Sequence, residues 1–116
     1  METYAIHKTA MIKPRLARMT MDLIRGKDVD TARAILVNTN TKASSLILKV
    51  LNSAVANAVN NNGANEQELK ISKCFINPGP VYKRIQFASR GNVDRHDKRT
   101  SHIVVYVTDG NKEVAK

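Results

Sequence analysis

Residues 80–100 cannot lie inside a folded core, and the rest of the chain has to be arranged around them. The segment holds Lys83, Arg84, Arg90, Arg95, Lys98 and Arg99 against Asp94 and Asp97. Read as a strand, its first half would carry Val81, Lys83, Ile85 and Phe87 on one face and Tyr82, Arg84, Gln86 and Ala88 on the other. Side chains alternate between the faces of a strand, so neither face is apolar enough to bury, and burying unpaired charge is costly. Val81, Tyr82, Ile85 and Phe87 still favour extended backbone. Arg90-Gly91-Asn92 offers a turn in which Gly91 can take positive φ. The segment therefore reads as a hairpin projecting beyond the domain, with arms of about nine residues reaching about 30 Å. A free two-stranded ribbon of that length is marginal in water. It becomes well ordered when something anionic packs around it.

The whole chain points to the same partner. Its 116 residues carry 19 Lys and Arg against 10 Asp and Glu, a net charge of +9. That excess opposes compaction and favours a polyanion. RNA suits the arm: phosphates take the Lys and Arg contacts, while Phe87 or Tyr82 can stack on an unpaired base. The bland alternative is a solvated, flexible charged loop. An anionic membrane is a weaker candidate, because no basic amphipathic helix with a bulky apolar face stands out. No apolar run of membrane-spanning length and no signal-type apolar stretch occurs, so a soluble, cytoplasmic protein is expected.

The remaining sequence divides into a helical half and a β half. Residues 2–9 alternate Tyr4 and Ile6 against Thr3, Ala5 and His7, which suits an edge or half-buried strand. Pro14 sits at a helix first-turn position, where its missing N–H costs nothing. Leu16, Met19 and Leu23 follow on one face, and Gly26 supplies the stop. Asp30 reads as the N-cap of a second helix that turns Ala32, Ile35 and Leu36 inward. Asn40 or Thr41 starts a third helix, running to about Asn60 with Gly63 as terminator. Its apolar stripe is Ala43, Leu46, Ile47, Val50, Leu51, Ala54 and Ala58. The change from bulky to small residues after Leu51 predicts close packing of its C-terminal half. Residues 60–65 read as a turn.

Leu69, Ile71 and Phe75 share one parity, which predicts a strand with one buried face. Cys74, the only cysteine, reads as a buried strand thiol. Residues 103–107 are apolar on both parities, as in a central strand covered on both sides. Residues 110–116 read as a polar, flexible tail. One α+β domain over residues 1–109, including the arm at 80–100, is the economical reading.

A second basic cluster lies near the front: Lys8, Lys13, Arg15, Arg18, Arg25 and Lys27 against Asp22. Arg15, Arg18, Asp22 and Arg25 fall on the first helix, away from Leu16, Met19 and Leu23, and Asp22 can hold a guanidinium in place. Two separate basic footprints favour a scaffold over a reader of one short sequence.

At these residues the chain resembles the family of bacterial large-subunit (50S) ribosomal protein twenty-two. The matching stretches are Asp22-Leu23-Ile24-Arg25-Gly26-Lys27; Lys49-Val50-Leu51 with Ser53-Ala54 and Ala56-Asn57-Ala58; Gly79-Pro80 with Lys83-Arg84; and Lys98-Arg99-Thr100-Ser101-His102-Ile103. They occur in the family's order and spacing over roughly residues 3–109. The resemblance implies three helices packed on a three-stranded antiparallel sheet, with a long protruding β-hairpin between the last two strands. It also implies binding to large-subunit (23S) rRNA, support of assembly, and a hairpin that lines the nascent-peptide exit tunnel beside ribosomal protein four. The nascent peptide would then be a transient partner. On this chain Lys83 and Arg84 would be arm residues, with Phe87, Ala88, Ser89, Arg90, Gly91 and Asn92 at the tip. Lys98, Arg99, Thr100, Ser101 and His102 would form the RNA-facing base of the returning arm. The tip departs from the family's usual Pro-Arg-Ala-x-Gly-Arg-Ala, reading Phe87-Ala88-Ser89-Arg90-Gly91-Asn92-Val93. Lys13 and Leu16 stand where a small residue and a Lys are more usual.

Catalysis has little support. No phosphate-binding Gly-rich loop, metal-ligand cluster or nucleophile motif occurs, and no cofactor is implied. Ser101-His102 lacks any signal of a third group or an oxyanion hole. The competing non-enzymatic reading is a freestanding architectural nucleic-acid binder with a β-ribbon arm, whose composition would be the same. The four-part family match separates the two.

Overall fold

The computed structural model describes the backbone of residues 2–87 and 93–109, and the side chains of residues 2–83 and 98–109. The order is β1 (Glu2–Ala10), α1 (Pro14–Ile24), α2 (Val29–Asn38), α3 (Lys42–Asn62), a short 3-10 turn (Glu66–Glu68), β2 (Lys70–Phe87) and β3 (Val93–Thr108). The strands form one antiparallel sheet in the order β1-β3-β2, and three helices pack on it, giving the expected α+β fold. The long axis measures 63 Å against 28 and 21 Å across, because β2 and β3 run on together past the helices.

α3 is the centrepiece, and its ends explain its length. Thr41 accepts from the Ser44 N–H while the Ser44 hydroxyl accepts from the Thr41 N–H, so two orphan donors of the first turn are satisfied reciprocally. Gly63 closes the helix in the left-handed region at φ 67°, a conformation other residues resist. The helix runs through Asn62, so residues 60–62, read above as turn, form its last turn. Ala43, Ile47, Val50, Leu51, Ala54 and Ala58 are buried, with Leu46 packed at the margin and Val55 added to the stripe. Ala54 and Ala58, the small residues of its C-terminal half, are fully buried.

Three expectations need correction. On α1 the buried residues are Ala17, Thr20, Met21 and Ile24, whereas Leu16, Met19 and Leu23 are 52%, 64% and 49% exposed. The helix carries two stripes with helical spacing, and the one containing small Ala17 faces inward, where backbones approach closely. The N-cap of α2 is Asp28, and Asp30 lies within the first turn. β1 is the half-buried edge strand expected, with Tyr4 and Ile6 facing outward and Ala5 packed against the core. Leu69, just before β2, and Ile71 on it are buried but Phe75 is not; Cys74 and Ile76 take the inward side. A register shift between Ile71 and Lys73 explains this, since one extra residue reverses the parity of everything after it.

β3 is central by pairing, as expected, yet its two faces differ. Ile103, Val105 and Val107 join the core under the helices. Val104 is buried outside that core cluster, and Tyr106 is only half-buried.

Candidate nucleic-acid interface

The arm begins at a built joint. The β2–β3 ladder shifts register between Pro78 and Val81, where Gly79 passes close to β3. A Cβ on Gly79 would lie 2.5 Å from Thr100 Oγ1 and 3.3 Å from His102 Cε1, so only glycine fits without displacement. The Thr100 hydroxyl donates to the Pro80 carbonyl at 2.6 Å across the shift. Beyond the joint the ladder resumes, from Val81 opposite Arg99 to Phe87 opposite Val93. Lys83, Lys98 and Arg99 are exposed there, beside exposed Val81 and Tyr82. The side chains of Arg84, Phe87, Arg90 and Arg95, and the tip residues Ala88, Ser89, Gly91 and Asn92, lie outside the described residues, as does the tail at 110–116.

Three of the residues proposed for the arm's base have other work. Thr100 and Ser101 are fully buried, with Thr100 bound to Pro80 and the Ser101 hydroxyl donating to the Ile12 carbonyl at 2.7 Å. Side chains so enclosed do not reach RNA, and both are withdrawn from the RNA-facing set. His102 is half-buried, and its Nδ1 accepts the Thr9 N–H at 3.0 Å. That bond seats β1 where its register shifts between His7 and Ala10 and where Thr9 adopts φ 57°. These residues assemble the platform from which Lys98 and Arg99 project.

The front cluster also divides. Lys8, Lys13, Arg15 and Lys27 are exposed. Arg18 of α1 and Arg25, the residue that caps its C-terminus, are exposed as well, and they also reach the outer edge of β2. Arg18 Nη2 donates to the Ile76 carbonyl at 3.2 Å and Arg25 Nη2 to the Cys74 carbonyl at 3.0 Å. An edge strand presents carbonyls that could pair with another chain, and these guanidinium groups occupy two of them. Arg25 also pairs with Asp22, whose hydrogen bond holds the guanidinium pKa above its ordinary value. At the opposite edge, Asn57 of α3 donates to the Tyr4 carbonyl at 3.1 Å.

Burial pushes the Cys74 thiol pKa up, against a smaller opposing effect from the Arg25 charge, so the thiol is kept neutral. No group of His, Cys, Asp and Glu among the described residues is arranged to hold a metal ion. No helix among them is long and apolar enough to cross a membrane.

One exposed cluster escaped the sequence reading. On the sheet face away from the core, Tyr106 of β3 lies between Tyr4 of β1 and Phe75 of β2, with ring centroids 5.2 and 6.3 Å away. Lys73 Nζ sits 5.7 Å from the Tyr106 centroid. The available signal was the parity shared by Tyr4, Ile6 and Lys8, which puts a lysine on the same face as two apolar residues.

The family model described as ribosomal protein L22p/L17e matches residues 5–108. The match runs from Ala5, within β1, to Thr108, the last residue of β3, and includes both basic clusters and the whole arm.

Proposed function

From the premise that this chain belongs to the ribosomal protein L22p/L17e family, we propose that its basic hairpin extends through large-subunit rRNA to line the nascent-peptide exit tunnel. Membership itself makes the chain a structural constituent of the large ribosomal subunit that binds rRNA and serves translation. The finer reading is that of a bacterial-type (50S) protein on 23S rRNA, which supports assembly and meets ribosomal protein four where the tunnel narrows. The passing nascent peptide is its transient neighbour.

The observation that carries this reading is the uninterrupted run of β2 and β3 beyond the helices, from the Gly79–Thr100 joint to Phe87 opposite Val93. Lys83, Lys98 and Arg99 are exposed on that run. A ribbon this cationic cannot collapse onto its own core, and neutralising phosphates releases counterions. Lys8, Lys13, Arg15 and Lys27 supply a second footprint, suited to joining separate RNA segments during assembly.

A photo-cross-linker in place of Phe87, activated in intact ribosomes carrying a stalled nascent chain, tests the tunnel assignment. Cross-links to tunnel rRNA and to the nascent chain are expected. Cross-links confined to the subunit's outer surface would refute it. Sedimentation in high-salt sucrose gradients tests integration: the chain should stay with the large particle, whereas a freestanding phosphate binder would be stripped away.

A further inference from the structure

All three helices lie on one side of the sheet, and the opposite side carries a compact aromatic patch. Tyr4 is 51% exposed and Phe75 36%, with Tyr106 between them. Tyr4 lies directly across from Tyr106 and Phe75 diagonally from it, with neighbouring ring planes 31° and 27° apart, so the three rings line up obliquely across all three strands. Ile6 and Phe75 flank Val104 in the next register row, which accounts for the burial of Val104 outside the main core. Cross-strand aromatic contacts help hold a sheet together. That role alone leaves two large rings in water, beside a lysine.

The charges around the row select its occupant. Lys73 stands over Tyr106, and exposed Lys8 lies farther along the same face of β1. Glu2 is the acid of that face on β1, and its carboxylate already accepts the Ser72 hydroxyl at 2.7 Å. Aromatic rings with lysines at hand match a nucleotide: the base joins the rings and the phosphate takes the ammonium. The same β2 and β3 continue directly into the arm, past exposed Tyr82, Lys98 and Arg99. The patch and the arm are therefore successive stretches of one ribbon.

We propose that the helix-free face of the sheet is a further rRNA contact, where an unpaired base stacks on the Tyr4–Tyr106–Phe75 row and Lys73 binds the adjoining phosphate. This rests on the rRNA-binding role that family membership gives the chain, and adds a site separate from the arm. The row reads the flat face of a base rather than its edge, so it tolerates any base that its RNA leaves unpaired.

Ultraviolet irradiation of intact large subunits, followed by mapping of nucleotide-adducted peptides, provides the test. Adducts are expected on peptides containing Tyr4, Phe75 or Tyr106 as well as on arm peptides. In subunits carrying Tyr4→Leu, Tyr106→Val and Phe75→Leu together, the sheet adducts should vanish while the arm adducts persist. The purified triple variant should bind an rRNA fragment protected by the natural chain about 10-fold more weakly or worse, with unchanged circular dichroism. Adducts on arm peptides alone, together with unchanged affinity of the folded triple variant, would overturn the stacking site and leave rRNA binding intact. Cross-linking of the Tyr4 peptide to a neighbouring protein would overturn it in favour of a protein partner. Absence of adducts everywhere, with no binding by the natural chain, would instead overturn rRNA binding itself. If the triple variant loses its fold, the single variant Lys73→Glu decides: weakened binding with a smaller salt dependence supports the site, and unchanged binding refutes it.

Discussion

The Thr100 hydroxyl is held 2.6 Å from the Pro80 carbonyl, across the point where β2 and β3 change register and the arm leaves the domain. This bond and the bare Cα of Gly79 occupy the same few ångströms, so neither residue can change independently. Gly79→Ala should force the Thr100 side chain off its partner and lower stability by about 1–3 kcal/mol. The substitution should cost distinctly less in a Thr100→Ala background, where the clashing oxygen is gone. Urea unfolding of the four chains of this double-mutant cycle checks it, and strict additivity would show that the two sites do not meet.

Ala54 is fully buried on α3, within the core cluster. Ala54→Leu should overpack this cluster and cost about 1–3 kcal/mol. A lower melting temperature is expected, whereas an unchanged one would mean that the interface yields freely.

Charge reversal on the arm should separate binding from folding. Lys83→Glu with Arg84→Glu lies beyond the Gly79–Thr100 joint, outside the helix-covered core. Circular dichroism should be preserved while incorporation into large subunits falls. Each lost phosphate contact should also reduce the salt dependence of RNA binding, by up to about 0.9 in log–log slope on the duplex-DNA value.

Cys74 gives a pH prediction whose sign follows from its environment. Burial raises the thiol pKa in the folded state, so deprotonation is easier in the unfolded chain. The contribution to stability is therefore complete below the ordinary thiol value, about 8.5, and is lost as pH rises above it toward the raised folded value. Chemical denaturation between neutral and alkaline pH should show a loss for the natural chain that Cys74→Ala lacks. Alkylation of Cys74 in the folded protein should be slow and limited by unfolding.

Much of this architecture was legible in the sequence, wherever local chemistry and burial agree. Thr41 and Gly63 bracket α3, and its stripe is apolar on one side only, so pattern and packing coincide. α1 was misread because it offers two apolar stripes of the same period. What selects between them is tertiary: Ala17 allows close approach, and Arg18 and Arg25 must reach the β2 carbonyls. β2 was misread beyond Ile71 because a register shift leaves no mark in composition. The basic residues at Lys83, Lys98 and Arg99 were legible as exposed charge, since nothing in the core can neutralise them. Thr100 and Ser101 were not legible as buried, because their partners are main-chain carbonyls distant in sequence. The Tyr4–Tyr106–Phe75 row was hidden for the same reason: three strands must be aligned before those rings become neighbours.

The strand order has a consequence for how the molecule is made. β1 precedes the three helices and β2 in the chain, yet its ladder runs with β3, from Glu2 opposite Thr108 to Ala10 opposite Ser101. A growing chain thus carries β1 unmatched while the helices and β2 are made, and can seat it only when β3 emerges. Pairings that span so much sequence close slowly. The nascent chain consequently passes through a period of helices without a finished sheet, with the Ile71, Cys74 and Ile76 side chains open to water and at greatest risk of sticking to other chains.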